Sequence, residues 1–294
     1  MKVIRNDINI ESDMESNQTR LKDITAVVNH KGGVAKTSTV MSLAGGLLRV
    51  NRNLRVLMID MDDSGNLSML CGWDAGSGNE RPTIYDALRK DWKRGIPVYK
   101  SEQGLYFTPA SKELTAVKTD LHDQDIPKAV LFDRLGLPVV DYTGDGLTNI
   151  VDSFDYVLID CPPSLDDTTS NAIVVASRVL IPVQLDSLSY KGLSSILPQQ
   201  SELDTKLRKR LMGIDYQPQD IRIVPVMVEG KTTRVEQLYT EELMEKYGTF
   251  LSDVRIHRGI KMKEGQGIFR DIFHYAPYSR VAIDYEQLIK ELYD

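Results

Sequence analysis

The chain is poor in cysteine: Cys71 and Cys161 are the only two among 294 residues. Two thiols cannot build a disulfide framework, which fits a reducing interior. Long apolar runs are also missing, and none approaches the roughly 18 residues that cross a bilayer. The first twenty residues lack the apolar core of a signal peptide. They carry three bases, four acids and little periodicity, so residues 1–21 read as a mobile arm. Positive charge is in deficit: 36 Lys and Arg stand against 42 Asp and Glu, a net charge of −6. Such a chain does not coat nucleic acid by bulk charge, and any DNA contact has to come from a local basic patch. There is no internal repeat, low-complexity segment or Gly/Ser linker.

What is present is an alternation of short β-branched runs with helical periods. Ile24 to Asn29, Arg55 to Asp60, Tyr156 to Asp160, Val179 to Val183 and Ile221 to Val228 read as buried strands. Leu105 to Phe107 and Val254 to Ile256 are weaker strand candidates. Helical patterns cover Thr37 to Val50, Ile84 to Arg89, Leu193 to Arg210 and Val235 to Tyr247. Strands alternating with helices predict an α/β fold, a mostly parallel twisted sheet flanked by helices on both faces. Residues 74–104 and 108–146 are richer in polar residues and turns and read as decoration on that sheet.

The most informative stretch is Asn29-His30-Lys31-Gly32-Gly33-Val34-Ala35-Lys36-Thr37-Ser38, which follows a strand and opens a helix. Glycines there let backbone N–H groups turn inward, and the helix N-terminus adds a positive dipole end, so the segment suits phosphate. Lys36 is placed to reach β- and γ-phosphates, and the Thr37 hydroxyl to ligate Mg²⁺. Alanine at position 35, where such loops carry glycine, is expected to take a negative φ. Two further strands end in acids. In Asp60-Met61-Asp62, alternate residues of an extended chain can point both carboxylates at one cleft. Asp160 closes the run Tyr156-Val157-Leu158-Ile159-Asp160, and a buried strand-end acid needs a partner such as hydrated Mg²⁺.

The spacing Lys31-Gly-Gly-x-x-Lys36-Thr37 resembles the deviant Walker A motif KGGxxK(S/T) of the ParA/MinD family of P-loop ATPases. Asp60, Asp62 and Asn66 resemble that family's DxDPQxN segment, with Asp63 and Ser64 in place of proline and glutamine. Phe154 to Ser164 resembles its Walker B segment. Leu180 to Gln184, the turn Glu229-Gly230-Lys231-Thr232, and Glu264, Ile272, Phe273, Tyr275, Pro277, Ser279, Ala282 and Tyr285 extend the likeness. It covers residues 22–294, read as a single P-loop ATPase domain. It is strongest to plasmid and chromosome partition ATPases of the ParA/Soj type, with the delta-type ATPases of Gram-positive plasmids among them.

The resemblance implies ATP and Mg²⁺ as cofactors and hydrolysis of ATP to ADP and phosphate. It implies nucleotide binding by Lys31, Gly32, Gly33, Val34, Ala35, Lys36, Thr37 and Ser38, and a metal site at Thr37, Asp60 and Asp160. Asp62 would orient the attacking water, and Lys31 would act across a homodimer on the partner's nucleotide. It also implies non-specific DNA binding, nucleoid association in the cytoplasm, and a small centromere-binding partner of ribbon–helix–helix type that stimulates hydrolysis. About 23 residues precede the first strand, too few for an operator-reading helix-turn-helix.

Two basic clusters interrupt the acidity. Lys206, Arg208, Lys209 and Arg210 end a helix, where cations also suit the dipole. Residues 254–270 hold Arg255, Arg258, Lys261, Lys263 and Arg270 against Glu264, five bases to one acid. The second cluster is the expected DNA face. A MinD-like membrane-positioning ATPase is the alternative, but residues 285–294 carry one lysine against three acids and read as no membrane anchor. A nitrogenase-reductase-like carrier would need cluster cysteines, which neither Cys71 nor Cys161 suggests.

Overall fold

The computed structural model describes residues 24–74, 81–230 and 233–293. The arm expected over residues 1–21, and Lys231 and Thr232 of the turn read over residues 229–232, fall outside these residues. Among the described residues nine strands form one sheet: β1 (Ile24–Val27), β2 (Val56–Asp60), β3 (Pro97–Lys100), β4 (Tyr106–Thr108), β5 (Val140–Asp141), β6 (Tyr156–Asp160), β7 (Arg178–Val183), β8 (Asp220–Val228) and β9 (Ile256–His257). Their order is β5-β3-β4-β2-β6-β1-β7-β8-β9. Every pairing is parallel except β3 with β4.

The central strands are apolar throughout because both faces are covered. Alternate residues serve opposite cores. Ile24, Ala26, Leu57, Ile59, Val157 and Ile159 pack on one face with Ala172, Ile173, Leu193 and Ile196 from helices Asp167–Val175 and Ser187–Glu202. Val27, Val56, Met58, Leu158 and Leu180 pack on the other with Val40, Leu43, Ala44 and Leu47 of helix Lys36–Val50. Helix Arg280–Tyr293 completes that second face with Val281, Tyr285, Leu288 and Ile289. A Cβ on Gly46 would collide with Ile289 and Phe273, so glycine sets the closeness of these helices.

The polar stretches contribute more than decoration. Residues 74–104 and 108–146 supply β3 and β5, which extend the sheet at one edge. The predicted helix over Leu193 to Arg210 begins earlier, at Ser187, and widens into a π-helical turn over Leu203–Arg208. That turn brings Arg208 inside, only 4% exposed, to Asp204 at 3.2 Å and to the Gln217 carbonyl. Lys206 pairs with Glu202. The first basic cluster is therefore partly structural.

Candidate nucleotide site

The site is built where β1, β2 and β6 end side by side. In the sheet register Asp60 of β2 lies opposite Asp160 of β6, and Asp160 lies opposite Val27 of β1. Beyond β1 the chain turns through residues 28–35 into helix Lys36–Val50. Asn29 anchors the start of this loop: its Nδ2 donates to the Pro182 carbonyl at 2.7 Å, and its Oδ1 accepts from the Lys31 amide at 2.9 Å. Gly33 has φ +75°. The helix has no acid in its first turn and no side-chain cap, so its leading N–H groups are available to an anion.

Ala35 corrects the expectation of a negative φ: it sits at φ +60°, ψ 24°. The left-handed conformation turns the loop into the helix and lets the Ala35 carbonyl accept from the Thr39 amide at 2.8 Å. A Cβ in that region costs about 1 kcal/mol or more. Ala35→Gly is expected to raise stability by about 1 kcal/mol, a Tm gain of roughly 2–4 °C in a thermal melt. An unchanged or lower Tm would contradict the strain.

The three acids have different surroundings. Asp60 is fully buried, with Oδ2 accepting from the Ser68 amide (2.8 Å) and hydroxyl (2.7 Å), and Oδ1 accepting from the Asp62 amide (3.1 Å). Burial pushes its pKa up to about 6, against the pull of those hydrogen bonds. Asp62 is half-buried, takes the Ser64 amide at 3.0 Å and lines the cleft. Asp160 is completely buried, with the Thr37 hydroxyl and Lys36 ammonium as polar neighbours, and among the described residues no close hydrogen bond is made to either carboxylate oxygen. Burial, and then the neighbouring Asp60, hold its pKa well above the carboxylate range. Thr37 and Lys36 oppose the shift. Lys36 is itself buried, which lowers its pKa while Asp160 and Asp62 raise it, and its Nζ donates to the Lys31 carbonyl at 3.3 Å.

The cleft over these groups has a volume of about 680 Å³ and is lined by Gly32, Gly33, Ala35, Lys36, Thr37, Ser38, Asp62, Asn66 and Pro163, among others. Val34 is buried beneath the loop instead. A bare carboxylate beside a threonine hydroxyl is a hard-oxygen donor set that fits Mg²⁺. Among the described residues no three acid, His or Cys side chains converge as an all-protein cage. Magnesium usually completes its octahedron with water and substrate phosphate, so two protein oxygens suffice.

Lys31 is turned away from its own loop. Its Nζ donates to Gln184 Oε1 at 2.9 Å and to Asp186 Oδ2 at 2.7 Å. Other contributors carry no motif signal. Ser68, which holds Asp60, could not be singled out from spacing. Met227 lines the cleft from a bulge in β8 at φ +56°, where β8 and β9 slip in register. Gln266 lines it too, and its Nε2 donates to Ser38 Oγ at 2.8 Å.

The expected DNA face lies on β9 and helix Ile260–Gln266. Arg255 is half-buried beside Glu236 and lowers that acid's pKa. Arg258 pairs with Glu229 at 3.1 Å and Lys261 with Glu264 at 2.7 Å, both exposed. Lys263 and Arg270 are exposed, with no ion pair among the described residues. Exposed pairs hold by about 1 kcal/mol or less, so an anion can displace them. The same helix ends on Gln266, so the basic face and the nucleotide cleft share an element.

Comparison with known proteins places these observations in a family. The AAA domain family matches residues 22–213. The chromosome partitioning protein ParA of Myxococcus xanthus is 30% identical over 276 residues, covering 92% of this chain and 87% of that protein. The chromosome-partitioning ATPase Soj of Thermus thermophilus is 29% identical over 271 residues, 91% and 94% of the two chains. Among solved structures, a cobyrinic acid a,c-diamide synthase from Mycobacterium smegmatis, with a bound ATP analogue and magnesium, superposes with a TM-score of 0.69. It is 24% identical and the match covers 92% of this chain and 93% of that one, a likeness of fold.

Proposed function

Because the chain belongs to the ParA/Soj branch of the ParA/MinD ATPases, we propose that it is a DNA segregation ATPase. In this reading residues 22–294 act as one ATPase domain that binds ATP·Mg²⁺, dimerises and then holds DNA without sequence preference. The observation that carries it is the buried Asp160 carboxylate set beside Lys36 and Thr37 at the mouth of an uncapped helix.

Loop amides and Lys36 bind the phosphates. Thr37 and Asp160 hold the metal, which when bound neutralises charge on the phosphate oxygens. Asp60 is fixed by Ser68 behind Asp160 and completes the acidic end of the sheet. Asp62, in the cleft and half-exposed, orients the water that attacks the γ-phosphorus, and ADP leaves with its oxygen's charge on Lys36 and the loop. Lys31 serves the partner subunit's nucleotide. Arg255, Arg258, Lys261 and Lys263 meet DNA phosphates, and a small centromere-binding protein stimulates turnover.

The test is DNA binding across a salt series with and without ATP·Mg²⁺, for wild type and Lys36→Ala. Binding that is ATP-dependent, weakens steeply with salt and is lost in the variant is expected. Binding to anionic vesicles in place of DNA would favour membrane positioning instead.

A further inference from the structure

A second cleft, of about 640 Å³, lies at the far end of helix Lys36–Val50 and is lined by Arg49, Arg52, Arg55, Lys100, Phe273 and His274. Arg55 immediately precedes β2, whereas Asp60 closes it, so this cleft is at the opposite end of the sheet from the nucleotide. A helix of 15 residues separates the two by about 20 Å.

The arginines are displayed rather than satisfied. All three are exposed, and none makes an ion pair among the described residues, in a chain where acids outnumber bases. Their mounting is nevertheless firm. The Arg55 amide donates to Asp155 Oδ2 at 2.7 Å, and its carbonyl accepts from the Asp155 amide at 2.8 Å. The Arg49 guanidinium stands 5.9 Å from the centre of the Phe273 ring. Two other cleft groups are already engaged by acids, Lys100 by Asp145 at 2.7 Å and His274 by Asp271. Three guanidinium forks lining one cleft suit closely spaced phosphodiesters, which each can grip through two N–H groups.

The cleft is also continuous with the face proposed above. Phe273 and His274 belong to the short helix that follows Arg270, and Gln103 in the cleft wall donates to the Phe269 carbonyl. The basic surface therefore runs from Lys261 and Lys263 past Arg270 to the three arginines. We infer that Arg49, Arg52 and Arg55 form a second contact with the phosphate backbone of duplex DNA. The inference rests on the reading that the chain binds DNA.

Its test is the salt dependence of ATP-dependent binding to a random-sequence duplex by Arg49→Ala/Arg52→Ala/Arg55→Ala. ADP binding and Tm report that the variant is folded. Each lost phosphate contact lowers the slope of log K against log salt by about 0.9, so a fall of about 2 to 3 for each subunit of the dimer that meets DNA through this cleft is expected. The triple lysine variant should keep most of the slope. A slope equal to wild type in the alanine variant overturns this cleft's role and leaves the function standing. No ATP-dependent binding by the wild type overturns both. Loss of polyglutamate binding with an unchanged DNA slope would make the cleft a site for acidic polypeptide and also overturn the assignment.

Discussion

Lys31→Ala is expected to lower ATP turnover by roughly 10³-fold or more while leaving ATP affinity within about threefold, the signature of a charge supplied to the transition state alone. The two loop lysines have different surroundings. Lys36 is buried against Asp160 and Asp62, and removing it should weaken nucleotide binding itself. Lys31 points at Gln184 and Asp186 and contributes only its carbonyl to the Lys36 ammonium. A lysine so held contacts a nucleotide only after leaving Asp186, and a dimer offers it the partner's phosphates. Mixing the two defective variants decides the point. Lys31→Ala supplies a loop that still binds ATP, and Lys36→Ala supplies an intact Lys31, so a mixed dimer has one complete site and turnover should reappear. Activity that stays absent on mixing, with both variants dimeric, would place Lys31 in its own subunit's site.

Asp160→Asn should produce two effects of opposite sign. Its carboxylate is completely buried with no close hydrogen bond to either oxygen among the described residues, and it lies next to Asp60. Neutralising it relieves burial of the charge and its repulsion by buried Asp60, which together outweigh the lost attraction to Lys36 by about 1–2 kcal/mol, so the nucleotide-free chain should melt roughly 2–6 °C higher. Magnesium-dependent turnover should fall by about 10²-fold or more, because an amide is a poor ligand for a hard dication. The gain in Tm on adding ADP and Mg²⁺ should shrink to that seen with ADP alone. A lower Tm in the variant, or an undiminished response to Mg²⁺, would mean that Asp160 is paired in solution.

The parts of the site legible in the sequence are those where physics leaves one solution. Strands buried on both faces must be continuously apolar, so β1, β2, β6, β7 and β8 stand out, and acids that end such strands stand out with them. The phosphate loop shows because glycine and lysine at fixed spacing have few other uses between strand and helix. The strands at one side of the sheet escape this logic. β3 opens on a proline and runs antiparallel, and β5 has two residues, so neither carries a period long enough to read. Ala35 was misread because the helix entry, through the Ala35–Thr39 hydrogen bond, overrides the side chain's preference for negative φ. The burial of Arg208 is not legible because nothing in its neighbourhood announces a π-helical turn that carries it inward to Asp204. The arginine cleft joins residues near 50, 100 and 270, a proximity that only the folded chain creates.

The Gln266–Ser38 hydrogen bond also sets an order of assembly during synthesis. Its two ends are 228 residues apart, and Met227 and Gly267 line the same cleft from that later stretch. At about 5–20 residues per second, a ribosome needs roughly 10–50 s after making the phosphate loop to deliver the residue that closes over it. A nascent chain thus displays the lysines and glycines of the motif long before it owns the chamber they serve. Gln266 and Gly267, which line the cleft, arrive together with the helix that carries Lys261 and Lys263.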